Sequence, residues 1–182
     1  MATRPRLTYD ELAALPDDGM RYELLEGVVH PMTPPSLKHQ RIAIALLSWL
    51  YRAQRAGYGY AFGAPIHVVL ASDVKFEPDA LFIRRGREAI LTENTIQGPP
   101  DLVIEILSPS NRLHDTVVKF QAYARYGVPH YWIVDPVAEL VTRYRLAGSG
   151  EYEREAELTA QDQLASPLFP DITMPVAELF QQ

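Results

Sequence analysis

Asp79, Glu105 and Lys119 are the side chains in this sequence whose types and spacing could do chemistry together. Asp79 follows Pro78 at the head of an apolar run, Ala80-Leu81-Phe82-Ile83. Glu105 lies inside another, Leu102 to Leu107, bounded by Pro100 on one side and Ser108-Pro109-Ser110 on the other. A carboxylate in such a run is costly to bury alone. Glu105 therefore either sits where its strand leaves the core or has a metal or a cation beside it. Adjacent strands lie about 4.8 Å apart, so two carboxylates at matching heights can hold one Mg²⁺ (or Mn²⁺). Mg²⁺ takes oxygen ligands at about 2.0–2.1 Å and keeps several waters. Such an ion lowers the pKa of a bound water and offsets charge developing on a phosphate. A fixed ammonium beside the attacking water would complete the set. Position 107, on the Glu105 face of the strand, is leucine, and Lys119, one helix further on, is the substitute. Singly, each residue has a plainer account. Pro78-Asp79 can be a turn, Glu105 can pair with an arginine, and Asp115 with Lys119 can be a helix-surface ion pair worth about 0.2–0.5 kcal/mol. The catalytic reading gains weight only when the residues are taken jointly.

The elements that must position them follow from periodicity. Thr8 and Glu11 have capping-box spacing, which predicts a short helix over Tyr9 to Ala14. Arg21 to Val29 reads as a strand or hairpin around Gly27, and Pro31 to Ser36 as a proline-rich loop. Lys38 to Ala56 is the clearest helix, with Ile42, Leu46, Trp49 and Leu50 at helical spacing and Gly57 as its stop. His39, in its first turn, is either a solvent-exposed or capping residue or one that faces a site near the preceding loop. Tyr60 to Ala71 reads as one or two strands, Asp79 to Ile83 as a strand, and residues 88–99 as a polar connection. Arg84, Arg85 and Arg87 form the one dense basic cluster, either a solvated loop or a set of phosphate contacts. After the Glu105 strand, a helix from Ser110 or Asn111 carries a predicted core stripe of Leu113, Val117, Phe120 and Ala124, with Gly127 as its end. Strands over His130–Val134, Glu139–Arg145 and Tyr152–Glu157 follow, and a short helix from Pro175 closes the chain.

Composition narrows the class. The 182 residues are 47% hydrophobic and 22% charged, which suits one packed domain over residues 1–182. No cysteine is present, so disulfides, thiolate metal sites and cysteine nucleophiles are out. No apolar run approaches the roughly 20 residues of a membrane helix, and Met1 to Asp10 lacks a signal-peptide apolar region. A cytoplasmic protein without a membrane partner is the expectation. The net charge of −6 argues against tight, indiscriminate nucleic-acid binding, while a carboxylate metal site would itself contribute acidity. No Gly-x-Ser-x-Gly and no His-Glu-x-x-His occurs.

YELLEG at Tyr22–Gly27, the proline loop followed by His39, EPDALF at Glu77–Phe82, DLVIEILSPS at Asp101–Ser110, the Asp115 and Lys119 pair, and YGVPHYWIVDP at Tyr126–Pro136 run through nearly the whole chain. Together they resemble the Uma-type restriction-endonuclease-like family of the PD-(D/E)XK nuclease superfamily. The resemblance implies an α/β fold with a restriction-endonuclease-like core, a mixed β-sheet flanked by α-helices. It implies Asp79 and Glu105 as metal ligands, Glu23 completing the carboxylate set, and Lys119 as the migrated lysine. Leucine at 107 departs from the superfamily pattern. The implied activity is a Mg²⁺-dependent endonuclease acting on DNA, for which His39, Arg84 and Arg85 are candidate substrate contacts. The alternative is a non-catalytic binding or regulatory module on the same fold. Double-strand cutting needs one site per strand, so a homodimer is expected.

Overall fold

The computed structural model describes residues 6–109 and 112–181. A six-stranded sheet forms the middle layer. Its strands are β3 (Gly59–Gly63), β6 (Ala80–Arg84), β8 (Leu102–Ile106), β9 (His130–Asp135), β10 (Leu140–Leu146) and β11 (Tyr152–Leu158), in the order β11-β10-β9-β8-β6-β3. β8 and β9 run parallel and the other neighbours antiparallel. Leu102 to Ile106 is buried throughout, as expected of a strand covered on both faces.

One face is covered by α2 (Leu37–Arg55). Ser36 caps this helix by accepting from the His39 N–H at 3.2 Å, and Ile42, Leu46, Trp49, Leu50 and Ala53 form its buried stripe. A hairpin of β12 (Gln163–Ser166) and β13 (Phe169–Pro175), with α4 (Ala177–Phe180), shares this core. The other face carries a second core. It is closed by α3 (Phe120–Arg125) and by a five-stranded sheet ordered β2-β1-β5-β4-β7. These strands are β1 (Tyr22–Leu25), β2 (Val28–Pro31), β4 (His67–Ala71), β5 (Val74–Phe76) and β7 (Thr95–Gln97). Glu26 and Gly27, both at positive φ, turn β1 into β2. α1 (Tyr9–Ala13) has the predicted capping box.

Tyr60 to Ala71 forms two strands, β3 and β4, one in each sheet, and the connection 88–99 holds a 3₁₀ turn, Glu88–Ile90, and β7. A correction concerns the helix after β8. Ser110 and Asn111, its proposed caps, lie outside the described residues. His114–Lys119 winds as a π-helix before α3 begins. The first half of the predicted core stripe faces out, with Leu113 73% exposed and Val117 41%, while Phe120 packs against the second core, Ala124 is half-buried, and Asp115, Lys119, Ala122 and Tyr123 are buried. A π turn shifts every following residue relative to α-helical spacing. Here the inward places next to β8 are also filled by charged groups, Asp115 and Lys119, that face one another.

Candidate active site

The segment Glu77-Pro78-Asp79 is the crossing from β5 in one sheet to β6 in the other. Ala80 pairs with Ile104 and Leu81 with Val103. One step beyond this ladder, Asp79 stands opposite Glu105 at the end of the strands. The Asp79 carboxylate accepts the Ile106 N–H at 2.8 Å, which fixes it against β8. His39 Nε2, on the first turn of α2, lies 3.2 Å from the same Asp79 oxygen. Burial works against the His39 cation, but the hydrogen bond and charge of Asp79 raise its pKa above the ordinary value.

Lys119 is the centre of the cluster. It is 3% exposed. Its ammonium lies 2.7 Å from Glu23, 3.1 Å from Glu105 and 3.4 Å from Asp115. Asp115 and Lys119 are thus a buried pair, not the helix-surface pair. Glu23 comes from β1 of the second sheet, and its carboxylate also accepts the Glu77 N–H at 3.2 Å and contacts His114 Nε2 at 3.0 Å. The Tyr123 hydroxyl donates to Glu105 at 3.2 Å.

One ammonium cannot neutralise three carboxylates, and the cluster divides accordingly. Burial opposes ionisation of Glu23, but Lys119 and His114 outweigh it and hold its pKa below the ordinary range. Burial, followed by the charges of Asp115, Asp79 and Glu23, pushes Glu105 well up despite Lys119. Asp115 is raised for the same leading reason, and its Oδ1 has no hydrogen-bond partner. The group as a whole has room for additional positive charge.

A cleft of about 110 Å³ opens onto this cluster. Asp79, Glu105, Asp115, Lys119 and His39 line its floor, and Met32, Pro34, Pro35 and Ile44 are among its walls. The structure therefore brings together Asp79, Glu105, Lys119, Glu23 and His39. It does not bring Arg84 and Arg85 there. Arg84 ends β6, whose opposite end adjoins Asp79. Its Nε donates to the fully buried Asp101 at 2.8 Å, with Arg87 3.0 Å from the same oxygen. His114 and Tyr123 were missed as contributors. Asp115, Lys119, Ala122 and Tyr123 do recur at i, i+4, i+7 and i+8, which marks one face. That two charges on this face should be inside is not visible from spacing.

Among the described residues no three His, Asp or Glu side chains converge as a ready-made metal cage. The donors nevertheless fit Mg²⁺ or Mn²⁺ in kind. They are hard carboxylate oxygens on a cleft, with an Asp115 oxygen that has the Lys119 charge nearby but no hydrogen bond, and with surplus negative charge. Mg²⁺ commonly binds through one or two carboxylates, with waters and substrate phosphates filling the other positions.

Comparison with known proteins agrees with this architecture. No curated protein matches the chain. The crystal structure of a "putative nuclease belonging to DUF820" from Anabaena variabilis ATCC 29413 superposes with a TM-score of 0.77 at 23% identity, covering 96% of this chain and 97% of that one. The profile of the Uma2 family, described as "Putative restriction endonuclease", matches residues 9–177. The nuclease-like fold and a match over most of its length place this chain in the Uma2 family.

Proposed function

We propose that the chain is a divalent-metal-dependent endonuclease that hydrolyses DNA phosphodiester bonds. The observation that carries this is the convergence of Glu23, Glu105 and Asp115 on the buried Lys119 ammonium, with Glu105, Asp115, Lys119 and the nearby Asp79 lining an open cleft. Asp79 and Glu105 are the residues that would hold Mg²⁺ or Mn²⁺, with Glu23 or Asp115 available as further donors. When bound, the ion would supply a more acidic water and charge compensation at the phosphate.

The chain's own groups do the positioning. Ile106 N–H and His39 hold Asp79 in one orientation. Tyr123 and Lys119 hold Glu105. Lys119 is a fixed positive charge whose carboxylate partners keep it protonated; burial opposes this, but they raise its pKa well above the ordinary lysine value. It cannot serve as a base near neutral pH. Its role is electrostatic: a preorganised cation where negative charge develops, an effect worth about 10²–10³ in rate. A homodimer belongs to the same proposal, since cutting both strands of a duplex calls for two such sites, and so does a cytoplasmic location.

The test is incubation of the purified chain with supercoiled plasmid and with circular single-stranded DNA, in Mg²⁺, Mn²⁺ or EDTA, with Asp79→Ala as control. Nicks or breaks that require the metal and vanish in Asp79→Ala are expected. Intact substrates in every metal would refute the proposal and leave a non-catalytic nuclease-fold module. A monomer by light scattering would restrict the activity to nicking or single-strand cutting.

A further inference from the structure

The outer face of α2 is unlike the rest of this acidic molecule. The helix carries Lys38, Arg41, Arg52 and Arg55 and no acidic residue, in a chain of net charge −6. Elsewhere most arginines are engaged by carboxylates, as Arg84, Arg112 and Arg143 are. Among the described residues, Arg41, Arg52 and Arg55 have no carboxylate partner, and all three are exposed. Between them, on the same face, stand Ile44, 62% exposed, and Tyr51, 52% exposed. The face is continuous with the candidate active site: Gln40, Ala43, Ile44 and Leu47 line the cleft floored by Asp79 and Glu105. At its far end, Arg85 reaches alongside Gly57, just beyond the helix, and its backbone N–H donates to Tyr58 at 2.9 Å. From His39 to Arg55 this track is about 24 Å long at the α-helical rise.

We propose that this face is a track for single-stranded nucleic acid, leading a strand out of the cleft along α2 towards Arg85. The inference rests on the nuclease reading of the cleft and adds to it the substrate class. Charge complementarity selects a polyanion. The spacing of isolated cations with an exposed aromatic ring and an aliphatic side chain between them selects a strand with accessible bases. Bases stack on aromatic side chains without regard to sequence, while the cations follow the phosphates. A second copy of the chain fits poorly, because two such faces would oppose like charges. Duplex DNA has its bases paired inside and would leave Tyr51 and Ile44 without partners.

The experiment is fluorescence anisotropy of labelled oligo(dT), oligo(U) and a mixed-sequence duplex of equal length, in EDTA so that nothing is cleaved. The full chain is compared with Arg41→Ala/Arg52→Ala/Arg55→Ala and with Tyr51→Ala, each checked for an unchanged thermal melt. The expected result is tighter binding of a single strand than of the duplex. The triple variant should bind at least tenfold more weakly, with the slope of log Kd against log salt reduced by about 2, since each lost phosphate contact on a single strand removes about 0.7. Tyr51→Ala should lose about fivefold or more. A preference for oligo(dT) or for oligo(U) tells whether the track takes a DNA-type or an RNA-type strand; either supports the proposal. Unchanged affinity in the triple variant, or a duplex preference, overturns it. So does a wild-type dimer that Ile44→Asp dissociates with no change in oligo(dT) binding. Binding without any metal-dependent cleavage would count against the nuclease reading alone, and cleavage with unaltered binding in the triple variant against the track alone.

Discussion

Replacing Lys119 by methionine keeps most of the side-chain volume and removes the charge. The structure sets the size of the effect. The ammonium is buried, and it is the shared partner of Glu23, Glu105 and Asp115 within 2.7–3.4 Å. Removing one member of a buried ion pair costs about 3–5 kcal/mol, because the other charge is left uncompensated. Three carboxylates would be left here, although protonation of some caps the penalty. For a chain of this length, each kcal/mol moves Tm by about 2–4 °C, so Lys119→Met in EDTA should melt about 6–20 °C below the parent. A divalent ion supplies the missing positive charge, so Mn²⁺ should raise the Tm of the variant by more than that of the parent. Below its melting range the variant should still cleave about 10²–10³-fold more slowly, since an ion does not replace a fixed cation at the reacting phosphate. Calorimetric melts with and without Mn²⁺, followed by plasmid cleavage at a temperature where both proteins are folded, make the test. A Tm in EDTA within about 2 °C of the parent would refute the reasoning, because only a solvated surface pair is that inexpensive to lose.

Three other outcomes follow from the same coordinates. Asp79→Ala and Glu105→Ala should each abolish the heat of Mn²⁺ binding in titration calorimetry; an unchanged response in both would put the ion elsewhere. Arg84→Ala should destabilise by about 1–2 kcal/mol in urea melts, because buried Asp101 keeps Arg87 and a backbone N–H; no loss would mean that Arg87 alone suffices. Burial would raise the Glu77 pKa, but hydrogen bonds from His67, Lys75 and Arg21 outweigh it and hold the group at about 2. A depressed carboxylate stabilises the fold above its unfolded pKa, so about 3 kcal/mol should be present near neutral pH and disappear as pH falls from about 5 to 2. Urea melts in EDTA should show Glu77→Gln losing that part of the acid slope, and an unaltered slope would contradict the assignment.

Much of the site was legible because strands announce themselves. The apolar run from Leu102 to Leu107 pointed to a strand, and a carboxylate inside it called for either a place where the strand leaves the core or a charged partner. Pro78 marked where Asp79 had to enter the neighbouring strand. Glu23 was reachable only through the family motif, because nothing in YELLEG says that its hairpin belongs to a second sheet folded across the first. The helix after β8 was misread for a different reason. Leu113, Val117, Phe120 and Ala124 make a good amphipathic stripe if hydrophobicity alone decides what goes inside. Here a network of one lysine, three carboxylates and a tyrosine hydroxyl occupies the inner face. Pairing makes that burial tolerable, and pairing between residues up to 96 positions apart leaves no periodic trace. The basic cluster at 84–87 likewise looked like one unit, yet buried Asp101 engages Arg84 and Arg87 and leaves Arg85 beside the end of α2.

Leucine at 107 and lysine at 119 also have a structural rationale in common. Residues 105 and 107 share a strand face and lie about 6.6 Å apart along β8, so a lysine at 107 could reach Glu105. Leu107 is instead packed in the second core with Val103, Tyr123 and Tyr131. A strand lysine there would have to displace apolar contacts and would have only the Glu105 side of the cluster within easy reach. Delivered from the π turn, the ammonium instead stands between Glu105 on the central sheet and Glu23 on the second sheet, with Asp115 on its own helix. It therefore joins three elements that no backbone ladder connects at this point. The second sheet is held to the first by the apolar core and, at the floor of the cleft, by this charge. The position of the lysine then matters to folding as well as to the proposed chemistry. The group that ties Glu23 on the second sheet to Glu105 on the first is the one that, on the proposed mechanism, would face the reacting phosphate.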